Sequence, residues 1–271
     1  MRALPQIKQT PPRAPEQNAI NGSGQGITAP GIVFEDVSLA FPGNVIFSDL
    51  NFRAQGGRCT CILGPSGCGK SSLLRLVSGA PDLKYTGRIG FDDGRKQEGR
   101  VAWMAQQDLL LPWMTLLDNV LLGRRLRGAV TARCKEKAVS LLAAVGLSGK
   151  EALLPAALSG GMRQRAALLR TLMEERPIIL MDEPFSALDA LTRIRLQNLT
   201  AGMVKGATVL LVTHDPMEAL RMGDAIHIMS GAPLTMGGAL IPPGKPPRDA
   251  GDPELAKLNA LLLKTLLGDT P

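Results

Sequence analysis

The chain has 271 residues, of which 45% are hydrophobic and only 3% aromatic, and its formal net charge is +7. This length and apolar content suffice for one large globular domain or two small ones. The scarcity of aromatic side chains argues against a binder of single-stranded nucleic acid, because such proteins stack bases on aromatic rings. The basic balance suits a nucleotide, a nucleic acid or an anionic membrane surface, and an ordinary solvated surface accounts for it equally well.

Residues 1–30 are rich in Pro and Gly and poor in large apolar groups, so we expect a disordered leader. The opening residues Met1–Pro5 lack the apolar core of a signal peptide. The sequence also lacks an uninterrupted apolar run of the ~18 residues that a membrane span needs. We therefore expect a cytosolic chain whose membrane association comes through a partner.

The folded part is predicted to begin with a β-hairpin. Residues 32–37 are typical of a strand, a Pro-Gly-Asn turn follows at 42–44, and residues 45–47 begin the returning strand. A third strand is predicted at 59–63 and contains two cysteines that share one face. The sequence has no second cysteine cluster, so these thiols are predicted to fill core space and not to bind zinc.

A glycine-rich loop follows this strand and precedes a helical stretch from Lys70 to about Ser78. Its glycines allow successive backbone amides to point inward, and the helix contributes its positive N-terminal end, so the loop is an anion cradle. Lys70 is predicted to contact the β- and γ-phosphates of a nucleotide, and the Ser71 hydroxyl to ligate Mg²⁺. The order strand, loop, helix disfavours a chance glycine-rich turn. This phosphate loop consists of Gly64, Pro65, Ser66, Gly67, Cys68, Gly69, Lys70 and Ser71.

The middle of the chain is predicted to alternate between helices and buried strands. Residues 108–157 are predicted to be mostly helical, with the clearest amphipathic piece at 136–145, and a further helix is predicted at 163–173. Two fully apolar strands are predicted at 177–181 and 207–212. Apolar strands of this kind are typical of parallel sheets that are covered by helices on both faces.

Two carboxylates follow the first of these strands directly. The carboxyl end of a buried strand lies at the ligand-binding edge of an α/β sheet. Asp182 is therefore predicted to hold the Mg²⁺ shell, and Glu183 to orient or deprotonate an attacking water. An apolar run followed by acidic residues is a weak signal when it stands alone.

The segment 158–164 decides the family. It reads Leu-Ser-Gly-Gly-Met-Arg-Gln, precedes a predicted helix and lies between the phosphate loop and the acidic strand end. Ser159 and the amides of Gly160 and Gly161 form a second anion site at a helix N-terminus. A Ser-Gly-Gly triplet alone is usually a capping turn. The full heptad in this order resembles the signature of the ATP-binding cassette (ABC) ATPases, and the resemblance covers about residues 31–230.

The resemblance implies roles for further residues. Gln106 is similar to the glutamine that couples the metal site to the helical subdomain, and it joins the expected metal ligands; Gln107 is the alternative. His214 corresponds to the switch histidine that contacts the γ-phosphate, and Asp189 belongs to the dimer-contact loop. Phe41 stands where the family places an aromatic ring against adenine, but a core aromatic at a strand end is an equally good interpretation.

Two departures from the family pattern are small. Ser72, counted with the nucleotide-contacting residues, stands where Thr is usual, and Ala105 stands where Phe is common. Neither change removes a catalytic group, so the expected nucleotide site is unaffected.

The resemblance implies the α/β fold of the P-loop NTPases. We therefore expect a mixed or parallel core sheet, an antiparallel β subdomain and a helical subdomain at about 108–165. The ATP-binding domain is expected over 31–230. Residues 231–271 are expected to form a C-terminal extension, in which leucines at helical spacing predict a terminal helix at 253–267 that packs on the domain or on a partner.

The resemblance also implies cofactors and partners. ATP with Mg²⁺ would lie between two copies of the chain arranged head to tail. In that dimer, Lys70 and Ser71 of one copy face Ser159 and Gly161 of the other. The chain would be a peripheral ATPase on the cytoplasmic face of the inner membrane. It would dock on a separate membrane permease and act indirectly with a substrate-binding protein, without nucleic acid.

The transported solute is indicated only weakly. Residues 110–120 resemble the nitrate, sulfonate and taurine importer branch, and residues 105–109 suggest the importer of pyrimidine precursors of thiamine. The alternative is a detached cassette for export of a lipid or lipoprotein. A DNA-repair cassette normally needs a long insertion within 107–157, and a ribosome-associated cassette protein needs a second phosphate loop; the sequence has neither.

Overall fold

The computed structural model describes residues 29–267, so the expected leader lies almost entirely outside the described residues. The strands are β1 Ile32–Phe41, β2 Asn44–Ala54, β3 Cys59–Leu63, β4 Tyr85–Phe91, β5 Val101–Met104, β6 Ile178–Asp182, β7 Thr208–Thr213, β8 Ala225–Ser230 and β9 Thr235–Met236. The helices are α1 Lys70–Val77, α2 Leu116–Val120, α3 Leu122–Leu126, α4 Ala132–Ala144, α5 Gly160–Leu172, α6 Ala190–Met203, α7 Pro216–Met222 and α8 Pro253–Leu267, with a 3₁₀ turn at Pro155–Ala157.

The strands form two sheets, as the sequence predicts. A three-stranded antiparallel sheet has the order β2-β1-β4, and the larger sheet has the order β5-β6-β7-β3-β8-β9. The larger sheet is parallel except for β9, which pairs antiparallel with β8, so it is mixed. The predicted hairpin joins β1 to β2, and Gly43 turns it with a φ of +78°, which glycine adopts without steric cost.

The larger sheet separates two apolar clusters. Successive side chains of a strand point to opposite faces, so Cys59, Cys61 and Leu63 lie in the cluster shared with the long helices. Ile62, between them, lies in the cluster shared with α1 and the antiparallel sheet. Both thiols of β3 are buried, which confirms their predicted place in the core.

The helical prediction for the middle of the chain is partly wrong. Residues 108–115 are not helical, because the buried side chain of Asn119 replaces helical bonding there. Its amide oxygen accepts from Leu111 N at 2.7 Å, and its nitrogen donates to the carbonyls of Leu111, Met114 and Thr115. Helix α5 begins at Gly160, three residues before the predicted start, because the Ser159 side chain accepts a hydrogen bond from Met162 N and caps it.

The terminal helix α8 has the predicted bounds and packs on α7. Leu255 and Leu262 are fully buried in the apolar cluster that the larger sheet shares with the long helices, so this helix packs on the domain. None of the helices within residues 29–267 combines the length and apolarity that a bilayer crossing requires.

Candidate nucleotide site

The phosphate loop turns directly from β3 into α1. Gly67 and Gly69 have φ values of +77° and +112°, a region that side-chain-bearing residues rarely occupy. A Cβ atom at Gly64 would lie 2.6 Å from the carbonyl oxygen of Met229, so the chain passes too close there for any other residue. The structure therefore requires glycine at the positions where the sequence pattern has it.

Lys70 is the first residue of α1, and it is 4% exposed. Its ammonium donates to the carbonyl oxygens of Gly64 and Pro65, at 2.8 Å and 2.6 Å. A buried lysine is stable only when its charge is compensated, and here the loop carbonyls supply part of that compensation. A positive charge is thus fixed inside the loop, at the N-terminus of a helix whose dipole has the same sign.

Ser71 and Asp182 bring α1 and β6 together. The Ser71 side chain lies close enough to the Asp182 carboxyl group, which is 4% exposed, to affect its pKa. Burial raises the pKa of Asp182 above its ordinary value, while the Ser71 side chain and the Lys70 charge oppose that rise. A buried carboxylate beside a serine hydroxyl supplies the hard oxygen donors that Mg²⁺ prefers, so the residues fit this cation.

Three further predicted side chains converge on the end of β6. Glu183 Oε1 lies 3.1 Å from His214 Nδ1, and Glu183 Oε2 lies 3.5 Å from Gln106 Nε2. Glu183 is only 8% exposed and has a φ of +48°, a strained conformation for glutamate. Its backbone N donates to Val212 O at 2.9 Å, which fixes this turn against β7. Sequence reasoning predicted the members of this cluster but not their mutual hydrogen bonds.

The signature segment lies apart from this cluster. Ser159 and Gly160 are exposed at the start of α5, and Gly161 is half-buried. Within residues 29–267, no hydrogen bond joins any of the three to the phosphate loop. One copy of the chain therefore presents the two predicted anion-binding elements separately.

Gln164, on the same helix, is a site residue that sequence reasoning did not single out. Its amide nitrogen donates to Glu183 O at 3.1 Å and to Ser186 Oγ at 3.3 Å, and its oxygen accepts from Ala187 N at 2.9 Å. This buried amide ties the signature helix to Glu183 and to the predicted dimer-contact loop, 186–189. The available signal was its place at the end of the signature heptad.

Two arginines of α5 hold the segment around the predicted Gln106 site. Arg163 Nε donates to Asp108 Oδ2 at 3.0 Å, and Arg170 donates to the carbonyls of Asp108 and Leu109, both at 2.7 Å. The signature helix is thus coupled to the segment that follows Gln106. The alternative residue, Gln107, is exposed and makes no side-chain hydrogen bond within the described residues, whereas Gln106 reaches Glu183.

The remaining predicted residues lie at the rim. Phe41 is 43% exposed at the end of β1, so the interpretation as a core aromatic is wrong. Pro65 and Ser66 are exposed, and Ser72 is half-buried one residue beyond Ser71. Asp189 caps α6 by accepting from Thr192 N at 3.0 Å, and this hydrogen bond lowers the pKa of Asp189.

A buried acid lies on α7, four residues after His214. Glu218 on α7 is 3% exposed, and burial raises its pKa from 4.5 to about 8, helped by the nearby Asp215. Folded protein therefore binds a proton that unfolded protein releases above pH 4.5, so the free energy of unfolding should fall as pH rises through this window.

Glu218→Gln should remove this pH dependence, because the amide cannot lose a proton. Relative to wild type, the variant should gain stability between pH 5 and pH 8 by an amount on the order of a few kcal/mol. Urea unfolding at several pH values measures this, with the exposed Glu98→Gln as control. If the free energy of unfolding changes with pH equally in wild type and Glu218→Gln, Glu218 is not the residue responsible.

Comparison with known proteins agrees with this geometry. Residues 47–186 match the family model for the ABC transporter. The chain is 40% identical to an uncharacterized ABC transporter ATP-binding protein of Haemophilus influenzae, over 87% of this chain and 98% of that one. It is 42% identical to an aliphatic sulfonates import ATP-binding protein, SsuB 1, of Pseudomonas savastanoi, over 84% and 92%.

The solved structures agree with the fold. A dimeric ATP-binding cassette in a post-hydrolysis state, bound to ADP and Pi, superposes with a TM-score of 0.69 at 27% identity. The match covers 79% of this chain and all of that one. The predicted fold class is confirmed. The chain belongs to the ABC transporter family and is one of its ATP-hydrolysing cassettes.

Proposed function

We propose that the chain binds ATP with Mg²⁺ at the phosphate loop and hydrolyses it between two copies to power uptake of a small solute. The observation that carries the nucleotide site is the convergence of Lys70, Asp182, Glu183 and His214 at the carboxyl ends of β3, β6 and β7. Ligands of α/β proteins bind at this edge of the sheet.

The side chains divide the chemistry of hydrolysis. Lys70 neutralises phosphate charge, and Ser71, Asp182 and Gln106 would hold Mg²⁺, which supplies further charge neutralisation when bound. Glu183 is oriented by its contacts to His214 and Gln106, so its carboxylate can accept a proton from the attacking water. His214 is 49% exposed, which leaves its imidazole accessible to the γ-phosphate. Phe41, exposed at the rim, would stack on adenine.

The signature segment completes the site of a second copy. Its residues Ser159, Gly160 and Gly161 are accessible at a helix N-terminus, a position that favours phosphate charge. A related cassette was solved as a dimer with ADP and Pi, which supports a pairing of two copies. Asp189 and its loop would contact the partner copy.

The uptake assignment rests on the relatives. Those named as aliphatic sulfonates import ATP-binding proteins are 38–42% identical to this chain, which favours an aliphatic sulfonate or a similar small organic anion as the solute. A separate permease would dock where Leu109 and Trp113 are 56% and 73% exposed beside the Gln106 segment. Such docking would put the chain on the cytoplasmic face of the inner membrane, with a substrate-binding protein as an indirect partner.

The proposed organisation follows from these roles. Residues 31–230 would form the ATP-binding domain, with the helical subdomain at about 108–165, and residues 231–271 would form the C-terminal extension.

Reconstitution with the permease and binding protein tests the transport role. ATPase activity in lipid should rise with an aliphatic sulfonate and the loaded binding protein. Stimulation only by a lipid or lipoprotein would instead support an exporter.

Alkylation of Cys68 should block ATP binding, because this half-buried thiol lies in the phosphate loop, 4.0 Å from Lys70 Nζ. Cys59 and Cys61 are buried and protected, so a Cys134→Ser background directs N-ethylmaleimide to Cys68. The dissociation constant for ATP should rise by at least about tenfold, since added bulk fills the cradle. Cys68→Ala in the same background is the control and should be insensitive. Unchanged affinity after complete labelling would reject this prediction.

A further inference from the structure

Arg193 lies in the first turn of α6, directly after the predicted dimer-contact loop, 186–189. Its Nη2 donates to the Leu188 carbonyl at 3.1 Å, and its Nη1 donates to Asp215 Oδ2 at 2.9 Å. The Arg193 and Asp215 side chains are 32% and 28% exposed, so this ion pair is sheltered from full solvent screening. One guanidinium therefore joins the backbone of the loop to the residue beside His214.

Asp215 in turn fixes the local backbone on both sides of itself. Its other oxygen, Oδ1, accepts from Met217 N at 2.9 Å and from Glu218 N at 3.2 Å, and so caps α7. Its own N donates to Thr213 Oγ1 at 3.0 Å. His214 lies between Thr213 and Asp215, so a displacement of the Asp215 carboxylate moves the histidine backbone as well.

We propose that Arg193 is a positioning residue that couples the dimer-contact loop to His214 within one chain. This inference rests on the proposed function, because it requires that loop 186–189 senses the partner copy and that His214 faces the γ-phosphate. The same loop reaches Glu183 through Gln164, by the hydrogen bonds to Ala187 N and Glu183 O. Loop 186–189 is therefore linked by hydrogen bonds, through Arg193 and Gln164, to the residues that position His214 and Glu183.

The surroundings of Arg193 leave room for a second arrangement. Within the described residues, Arg193 Nε and Glu218 Oε1 are both buried without a hydrogen-bond partner, one an unused donor and the other an unused acceptor. Each of these two groups can gain a hydrogen bond if the side chains of this cluster rearrange.

Arg193→Met tests the coupling, with Arg193→Lys as the conservative variant and Arg195→Met as the matched control. Arg195 is on the same helix, is exposed and forms no ion pair within the described residues. Arg193→Met should lower kcat for ATP by about tenfold to a hundredfold, while KM and the affinity for ATP change by less than about threefold. Arg193→Lys should recover only part of kcat, because a single ammonium cannot span both acceptors.

A second measurement separates coupling from simple dimer formation. In a Glu183→Gln background, Arg193→Met should still form the ATP-dependent dimer, since its effect falls on His214 and not on the contact itself. Wild-type kcat in Arg193→Met, or loss of the ATP-dependent dimer, would overturn the inference while leaving the proposed function intact. Absence of ATPase activity in wild type and in Arg195→Met would overturn the proposed function itself.

Discussion

Replacing Glu183 with Gln should lower ATP turnover by about 100-fold to 10,000-fold while leaving ATP binding intact. The amide keeps the size of the side chain but cannot accept a proton from water. The contacts of Glu183 place its carboxylate between His214 and Gln106, at 3.1 Å and 3.5 Å, so the loss of its charge acts on the reacting centre. ATP bound between two copies then persists, and a stable dimer should accumulate.

Steady-state ATPase assays and size-exclusion chromatography with ATP and Mg²⁺ measure the two effects. Glu136→Gln, on the exposed face of α4, is the control and should behave as wild type. Turnover by Glu183→Gln close to wild type would remove Glu183 from the chemistry. Loss of ATP binding in this variant would instead indicate a structural role for the carboxylate.

Gly161→Asp should abolish ATP-driven dimerisation and hydrolysis while each monomer still binds ATP at its own phosphate loop. A carboxylate at this helix N-terminus stabilises the helix but repels the γ-phosphate of a nucleotide held by the partner copy. A Cβ at this position would lie 3.2 Å from Ala187 O, so the backbone accommodates it with only a slight shift. We expect a loss of turnover of at least about 100-fold.

The matched control is Gly202→Asp, another helical glycine. A Cβ there meets nothing within 4 Å, and the residue is exposed on α6. Equilibrium binding of ATP by the monomer, dimer formation and ATPase activity should all remain at wild-type values in the control. If Gly161→Asp loses ATP binding as a monomer, the signature segment and the phosphate loop belong to the same site and the proposed dimer is wrong.

The parts of the molecule that depend on local sequence were predictable. The phosphate loop, the strands at 59–63 and 177–181 and the terminal helix follow from glycine spacing, apolar runs and leucine periodicity, and each has a structural counterpart within one residue. The position of Asp182 and Glu183 at the sheet edge was predictable because the apolar run before them marks the end of a strand.

The parts that depend on packing were not predictable. Asn119 suppresses helix at 108–115 through hydrogen bonds to three carbonyls, which only the folded backbone brings within reach. Arg193 is an ordinary helix residue by sequence, and Gln164 is marked only by its place in the signature heptad; the bonding partners of both lie in separate loops. Glu218 reads as a polar helix residue, yet the packing of α7 buries it completely.

Mixing two inactive variants tests the central claim, that each ATP site is shared between two copies. Lys70→Met disables the phosphate loop of one chain, and Gly161→Asp disables the signature segment of the other. A head-to-tail mixed dimer still contains one intact site, made from the loop of the Gly161→Asp chain and the signature of the Lys70→Met chain. The ATPase activity of the mixture should therefore exceed the sum of the two separate variants and approach at most about a quarter of wild type, since random pairing makes half the dimers mixed. No recovery above that sum, with mixed dimers present, would contradict the shared site.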